Sequence, residues 1–341
     1  MSAPFSFNLP PTDSFANASY FDLYDRTIQI FSTWIQDEQH SRNPSAKEDE
    51  SYIDIFARFN PTIVTDICWV LFGAFMFTLI RYLLTNIVIK FMFKYELLNP
   101  KNKKRFMESM YSCIFYMGSF YVAYSIEQKE QYLKYPLRLW QGFTFADTMP
   151  SLVQFLYFME VSHYIHSSYA VFFVNQWIHL DSIIMFIHHI FALLLLAISY
   201  LTKMHRVAVL IVYLFDICDI IMEFGKCLLK LQLTRPIVIK MVEMFKIICF
   251  GNLIFFWFFF RLYQFPLKVI HSAAVCFTHN PIELWFPLSI TLYSLLLLLF
   301  LLNLYWGLLL LRVLFKALIG GTEEIEDIRD ADIQSQRHKN E

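Results

Sequence analysis

Two adjacent histidines, His188-His189, and four charged residues, Asp216, Asp219, Glu223 and Lys226, are the side chains of this sequence best suited to chemistry. A neutral imidazole is available near neutral pH and serves as a general base or as a nucleophile. The charged residues are spaced 3, 4 and 3 apart, which on a helix puts all four within about 80° of one face. Both groups lie in apolar runs. Ionisable groups inside a membrane span are costly and turn toward an interior or toward one another. Three acids and one base in a stripe therefore exclude a lipid-facing surface. A histidine pair and a carboxylate pair at one depth on consecutive helices form an acid/base constellation. The same residues equally suit a salt-bridge network, Glu223 to Lys226 included, that ties two helices together. No HxxxH or HxxE pair supports a metal site, and none is expected.

These residues must be held by spanning helices. Of 341 residues, 57% are hydrophobic and 17% charged, and Phe alone numbers 37. A soluble domain carries about 25% charged residues, so the composition points to one polytopic membrane bundle. The net charge of −1 offers no basic excess for phosphates, and nucleic acid is not an expected partner. Seven stretches approach the roughly 20 apolar residues that a span needs: about 62–90, 107–126, 150–174, 181–202, 206–229, 240–266 and 284–314. The fold expected is an all-α transmembrane bundle in which six helices enclose a lipid cavity and one helix is peripheral. Asp181 opens the fourth span, which places the His pair roughly 10–12 Å from that end. Asp219 lies about 10 Å from the Lys226 end of the fifth span, at matching depth. Arg81 and Arg261 are also intramembrane and suit pairing with the acidic stripe or binding a phosphate. His163 and His166 read as structural.

The basic cluster Lys90, Lys94, Lys101, Lys103, Lys104 and Arg105 belongs in the cytosol. With seven spans, the N-terminus is then lumenal and the C-terminus cytosolic. Residues 1–60 form a lumenal segment without a cleavable signal. It carries a glycosylation sequon at Asn17 and, over residues 20–35, an expected interfacial amphipathic helix; residues 36–50 read as loose. Residues 61–319 form the membrane domain. The tail after Gly320 holds seven acidic and three basic residues and reads as solvated and cytosolic. Six scattered cysteines without a CxxC pair read as small buried hydrophobes.

Residues 180–200 and 205–226 resemble the Lag1 motif of ceramide synthases, within the TLC (TRAM, Lag1, CLN8) group of membrane proteins. The residues carrying the likeness are Asp181, His188-His189, Leu195, Ser199-Tyr200, Arg206, Asp216, Asp219, Glu223 and Lys226, all at the family's spacing. Arg105 to Met110 with Phe115-Tyr116 resembles the family's entry to the domain. Arg261-Leu262 with Phe265-Pro266, then Trp306, Arg312 and Asp327-Ile328-Arg329-Asp330, resemble its later segments. Coverage is about residues 60–332. The sequence departs from the pattern at Ala192 (Thr in the family), Ala208 (Gly), Phe215 (the His of an HD pair) and Asn303 (a His of the last helix). It also departs at Ile178-His179-Leu180, where the family has a basic run, and at Leu229-Lys230.

The resemblance implies N-acylation of a sphingoid base (sphinganine or sphingosine) by a fatty acyl-CoA co-substrate, giving (dihydro)ceramide in the endoplasmic reticulum membrane, with no other cofactor. It implies catalytic roles for His188, His189, Asp216 and Asp219, and substrate-binding roles for Asp181, Arg206, Glu223, Lys226 and Arg261. A homodimer, or a heterodimer with paralogues, is an expected partner arrangement. The departures support a second expectation: a weakened protein that binds sphingolipid or regulates an active paralogue. A TRAM-like insertion factor fits less well because the His pair and the acids are retained. A histidine restored at position 215 is expected to reach the space between the fourth and fifth spans.

Overall fold

The computed structural model describes residues 18–41, 62–99, 102–141, 148–169, 180–279 and 286–320. Within them the chain is helical: α1 (Tyr20–Ser41), α2 (Ile63–Lys94), α3 (Lys103–Glu130), α4 (Ser151–Tyr169), α5 (Leu180–Leu201), α6 (His205–Lys230) and α7 (Pro236–Phe256). A π-helical segment, Trp257–Ile270, continues α7 without a break into α8 (His271–His279), and α9 (Phe286–Gly320) follows. Among the described residues α2, α5 and α9 are each long and apolar enough to cross a membrane unaided. Of the charged residues read from the sequence, Asp216 and Arg261 are buried and Asp219, Glu223 and Lys226 are half-buried. The Asn17 sequon, the tail from residue 321 and the Asp181 side chain lie outside the described residues.

Six segments close into a ring. Helix α3 packs on α6, α6 on α7 and the π-segment, the π-segment on α9, α9 on α5, α5 on α4, and α4 back on α3. Helix α2 sits outside, against α4 and, less, α3. The ring with one peripheral helix is the arrangement expected from the seven apolar stretches. Inside a membrane, packing rather than water exclusion holds helices together, so small residues set the close approaches. A Cβ on Gly73 would fall 2.5 Å from the Ser162 hydroxyl, so α2 can approach α4 this closely only with glycine there.

The amphipathic helix expected near the N-terminus is present, but it docks on protein. Leu23 and Ile30 join the main core, the Tyr20 hydroxyl donates to the Leu262 carbonyl, and Thr27 meets the Tyr293 hydroxyl at 2.6 Å. Phe21 and Tyr24 stay exposed on the other face. The helix runs to Ser41, beyond the stretch read as amphipathic.

The bundle is not packed uniformly. The first half of α6, through Cys218, is almost wholly buried together with Phe265, Ile270, Leu292, Tyr293 and Leu296. From Asp219 onward α6 is only half-buried, and α7 buries Leu253 alone. One end of the ring is therefore dense and the other open. At the dense end Thr202, Lys203 and Met204 turn the chain between α5 and α6, with Lys203 in the left-handed region at φ 61°. Burial lowers the Lys203 ammonium from its ordinary range, against the opposing pull of the Asp66 carboxylate.

Candidate functional site

The acidic stripe of α6 lies where the dense end gives way to the open one. Asp216, on the dense side, is 4% exposed and its Oδ2 has no hydrogen-bond partner. It faces the α3–α4 seam. There Ser119, wholly buried on α3, donates its hydroxyl to the Glu160 carboxyl of α4 and lies beside Asp216. Three helices thus bring two buried carboxyl groups to one hydroxyl. Glu160, 3% exposed, is a site residue that sequence reading missed. Its signal was a lone acid in the apolar run Phe155–Val161, which inside a span is a functional pointer in its own right.

One turn further, Asp219 reaches the other way, to Arg261 of the π-segment, Nη2 to Oδ2 at 2.6 Å. Arg261 is 4% exposed and tightly gripped. Its guanidinium lies 4.5 Å from the Phe215 ring centroid and 4.3 Å from that of Trp257. It donates to the Phe215 carbonyl at 3.0 Å and to Asn303 Oδ1 at 3.2 Å. A desolvated cation between two ring faces, with a carboxylate and two carbonyl-type acceptors, has its charge well compensated. Trp257 is held in turn by donation from its indole N–H to the Asn303 carbonyl at 3.1 Å. Gly307 makes room for it, since a Cβ there would sit 3.3 Å from the indole nitrogen. π-Helical turns within α-helices often mark functional positions, and this one carries Arg261 and Pro266.

The histidine pair enters from α5. His188 lies edge-on to Trp306 at 5.1 Å, and the two imidazoles are 5.9 Å apart, centroid to centroid. Both also pack edge-on to Tyr164 of α4, at 6.4 Å and 5.6 Å. Each buries an Nδ1 that has no hydrogen-bond partner. Tyr164 is also within electrostatic reach of Glu160, Asp216, Asp219 and Arg261, so one residue adjoins the imidazoles and lies near the acids. Tyr164 and Ser119 were also missed from sequence, because Tyr164 is one of 19 tyrosines and a lone Ser in an apolar run makes no motif.

The remaining predicted residues divide. Glu223 and Lys226 pair with each other at 2.7 Å, three residues apart. Arg206 sits 20 residues before Lys226, about 30 Å along the helix axis. It donates to the Arg138 carbonyl at 3.1 Å and to that of Gln141, and so anchors the turn after α3. The structure thus places Arg206 apart from the polar interior, engaged with backbone; matching motif spacing says nothing about which helix end faces the site. Arg81 pairs with Glu108 at 3.3 Å and meets His166 at 3.4 Å, and so is not joined to the acidic stripe. His163 stacks on Phe115 at 3.7 Å and bonds Ser167. Phe215 also turns away from the space between α5 and α6. Its ring packs on Phe265 at 5.0 Å and on Arg261, so a histidine there would meet Arg261. Among the described residues no three His, Cys, Asp or Glu side chains are grouped to hold a metal ion.

Residues 105–312 match the TLC domain of the TRAM, LAG1 and CLN8 proteins. Among curated proteins the chain is similar to ceramide synthase 1 of Homo sapiens, 30% identical over 76% of this chain and 74% of that protein. The mouse ceramide synthase 1 is 29% identical over 75% of this chain and 73% of its own. Ceramide synthase LAG1 of Saccharomyces cerevisiae is 25% identical over 77% of this chain and 64% of its own. With the His pair, the acidic stripe and the ring of six helices, these matches establish that the chain belongs to the TLC-domain family, among its ceramide synthase (Lag1) members.

Proposed function

We propose that this protein is a ceramide synthase: it transfers the acyl group of a fatty acyl-CoA to the amino group of a sphingoid base, giving ceramide or dihydroceramide. The observation that carries the reading is the pair of half-buried imidazoles, each with an unpartnered Nδ1, facing one tyrosine that also looks onto three carboxyl groups. The amine must lose a proton as it attacks the thioester carbon, and a neutral imidazole is the group to take it, or to accept the acyl chain first. His188 and His189 share that role. Tyr164 orients them, and Asp219 with Arg261 fixes the opposite wall. The half-buried end of α6, with Glu223 and Lys226, is the side from which acyl-CoA enters, and lysine and arginine side chains there meet its phosphates.

The reading places the protein in the endoplasmic reticulum membrane, with Asn17 lumenal and glycosylated and the tail cytosolic. In sealed microsomes the tail should be cut by added protease and Asn17 should carry a glycan; a protected tail reverses the topology. The direct test of function is acylation of sphinganine in microsomes that lack their own ceramide synthase activity. A second reading is a weakened protein that binds sphingolipid or regulates an active paralogue as a dimer. It is favoured by one observation: Phe215 and Asn303, the two positions where the family carries histidine, both contact Arg261. Binding of sphinganine without turnover in the same microsomes would decide for it.

A further inference from the structure

The polar interior is unbalanced in charge. Glu160, Asp216 and Asp219 lie within electrostatic reach of one another, and Arg261 answers only Asp219 by direct contact. Glu223 and Lys226 neutralise each other. Among the described residues this leaves two carboxyl groups, Glu160 and Asp216, with a serine hydroxyl and no cation in contact. One carboxyl oxygen, Asp216 Oδ2, is buried and unpartnered. A buried acceptor without a donor is costly, and a donor-rich cationic ligand would complete the arrangement. A primary ammonium fits: it brings one positive charge and three N–H donors and no acceptor. A phosphate or a second carboxylate does not.

We propose that Glu160, with Asp216 and bridged by Ser119, forms the subsite that receives the ammonium head of a long-chain primary amine. The proposal rests on the acyltransferase reading and assigns amine recognition to a residue outside the His-His and Asp motifs. The Glu160–Asp216 pair takes the first proton, converting R–NH3+ to R–NH2 within reach of Tyr164 and the imidazoles. The amine nitrogen then attacks the acyl carbon. The C–N bond forms, the C–S bond breaks, and the second nitrogen proton passes through imidazole to the departing thiolate, giving free CoA thiol. The proton left on the carboxyl pair returns to water when the amide leaves.

The test uses the full-length protein in detergent micelles, without acyl-CoA, and compares binding of sphinganine with that of N-acetylsphinganine, which lacks the charge. The wild type should prefer the amine. Glu160→Gln should weaken sphinganine by about tenfold or more, the loss expected for a hydrogen bond to a charged group, and leave the acetylated lipid unchanged. Glu160→Asp should recover part of the loss. In acylation, the KM for sphinganine should rise while that for acyl-CoA holds. Unchanged selectivity in Glu160→Gln, or an equal loss for both lipids, overturns the proposal. Should Glu160→Gln not fold, Ser119→Ala decides by the same ratio: a fall supports the subsite and a wild-type ratio overturns it. A wild type that selects the amine through Glu160 yet never acylates it keeps the subsite and sinks the acyltransferase reading; an active wild type with Glu160-independent selectivity does the reverse.

Discussion

Two aspartates, Asp66 on α2 and Asp216 on α6, are buried alike, at 7% and 4% exposure, yet they are built differently. Asp66 is satisfied. It accepts from the Thr62 hydroxyl at 2.9 Å, the Tyr200 hydroxyl at 2.8 Å and the Gln154 amide at 3.3 Å, which ties α2 to α4 and α5. Next to it Tyr157 meets Ser199 at 2.9 Å, so the Ser-Tyr pair at the end of α5 is wholly engaged in this network. Asp216 keeps one oxygen unpartnered and shares its surroundings with Glu160, Tyr116 and Tyr164. A fully satisfied buried carboxylate fixes helices; an unsatisfied one is held ready for something that arrives. Motif residues therefore fall into two sets that the sequence pattern alone does not separate. Asp216, Asp219 and the His pair belong to the interior, whereas Ser199, Tyr200 and Arg206 belong to the scaffold.

The sharpest way to break this division is through the imidazoles. His188→Ala and His189→Ala should each lower sphinganine acylation by about 10²–10⁴-fold, the usual contribution of a general acid/base. Neither Nδ1 has a hydrogen-bond partner, and the rings pack edge-on against Tyr164 and Trp306. Detergent-solubilised yield and thermal midpoint should accordingly stay near wild type. Activity persisting in both variants would remove the pair from the chemistry.

The Asp219–Arg261 contact comes next. Removing one member leaves an uncompensated charge in a desolvated setting, which costs about 3–5 kcal/mol in buried pairs. Asp219→Ala should therefore lower both activity and thermal stability. Pairing it with Arg261→Met, which fills space without charge, should restore stability but not activity. If Asp219→Ala alone is as stable as wild type, the guanidinium is solvated and the grip described around it is weaker than its contacts suggest.

The scaffold side predicts the opposite pattern. Asp66→Ala orphans two hydroxyl donors and an amide, and should cost about 1–3 kcal/mol; Tyr200→Phe, which removes one donor, should cost less. Turnover per folded molecule should not change in either. A selective fall in turnover with unchanged melting would move Asp66 from the scaffold into the site.

Much of this was legible in the sequence for one physical reason: apolar length and charge are linear properties. The helices fall within a few residues of the seven apolar stretches, and the spacing of Asp216, Asp219, Glu223 and Lys226 forced them inward. What stayed hidden was partnership. Asp219 takes Arg261 from a helix some 40 residues later, while Glu223 takes its neighbour Lys226, and nothing local distinguishes the two acids. Glu160 was overlooked although it shares a face with His163 and Ser167 at helical spacing, because a single acid makes no stripe. The π-segment left no mark in the periodicity beyond Pro266. The N-terminal helix was readable as amphipathic, but amphipathicity names a face and not what covers it.

The smallest expected effect bears on the two departures that meet at Arg261. The Phe215 ring stacks on the guanidinium and its carbonyl accepts from it, while Asn303 supplies a second acceptor. Phe215→His exchanges an apolar π face for an imidazole beside a fixed positive charge, which disfavours imidazolium. Asn303→His removes the Oδ1 acceptor and the amide donation to the Leu299 carbonyl at 2.8 Å. Each single change should therefore destabilise the protein, and neither should raise acylation. In the double variant two imidazoles flank Arg261, and the ring at 215 offers the guanidinium a second nitrogen acceptor that the single Asn303→His variant lacks. The two positions should then couple by about 0.5–3 kcal/mol, as residues sharing one partner do, and the double variant should melt higher than the sum of the singles predicts. Strict additivity would mean that Arg261 does not link the two positions. A rise in acylation with Phe215→His alone would show that position 215 reaches the reacting groups directly, and would move it from the wall of the site into its interior.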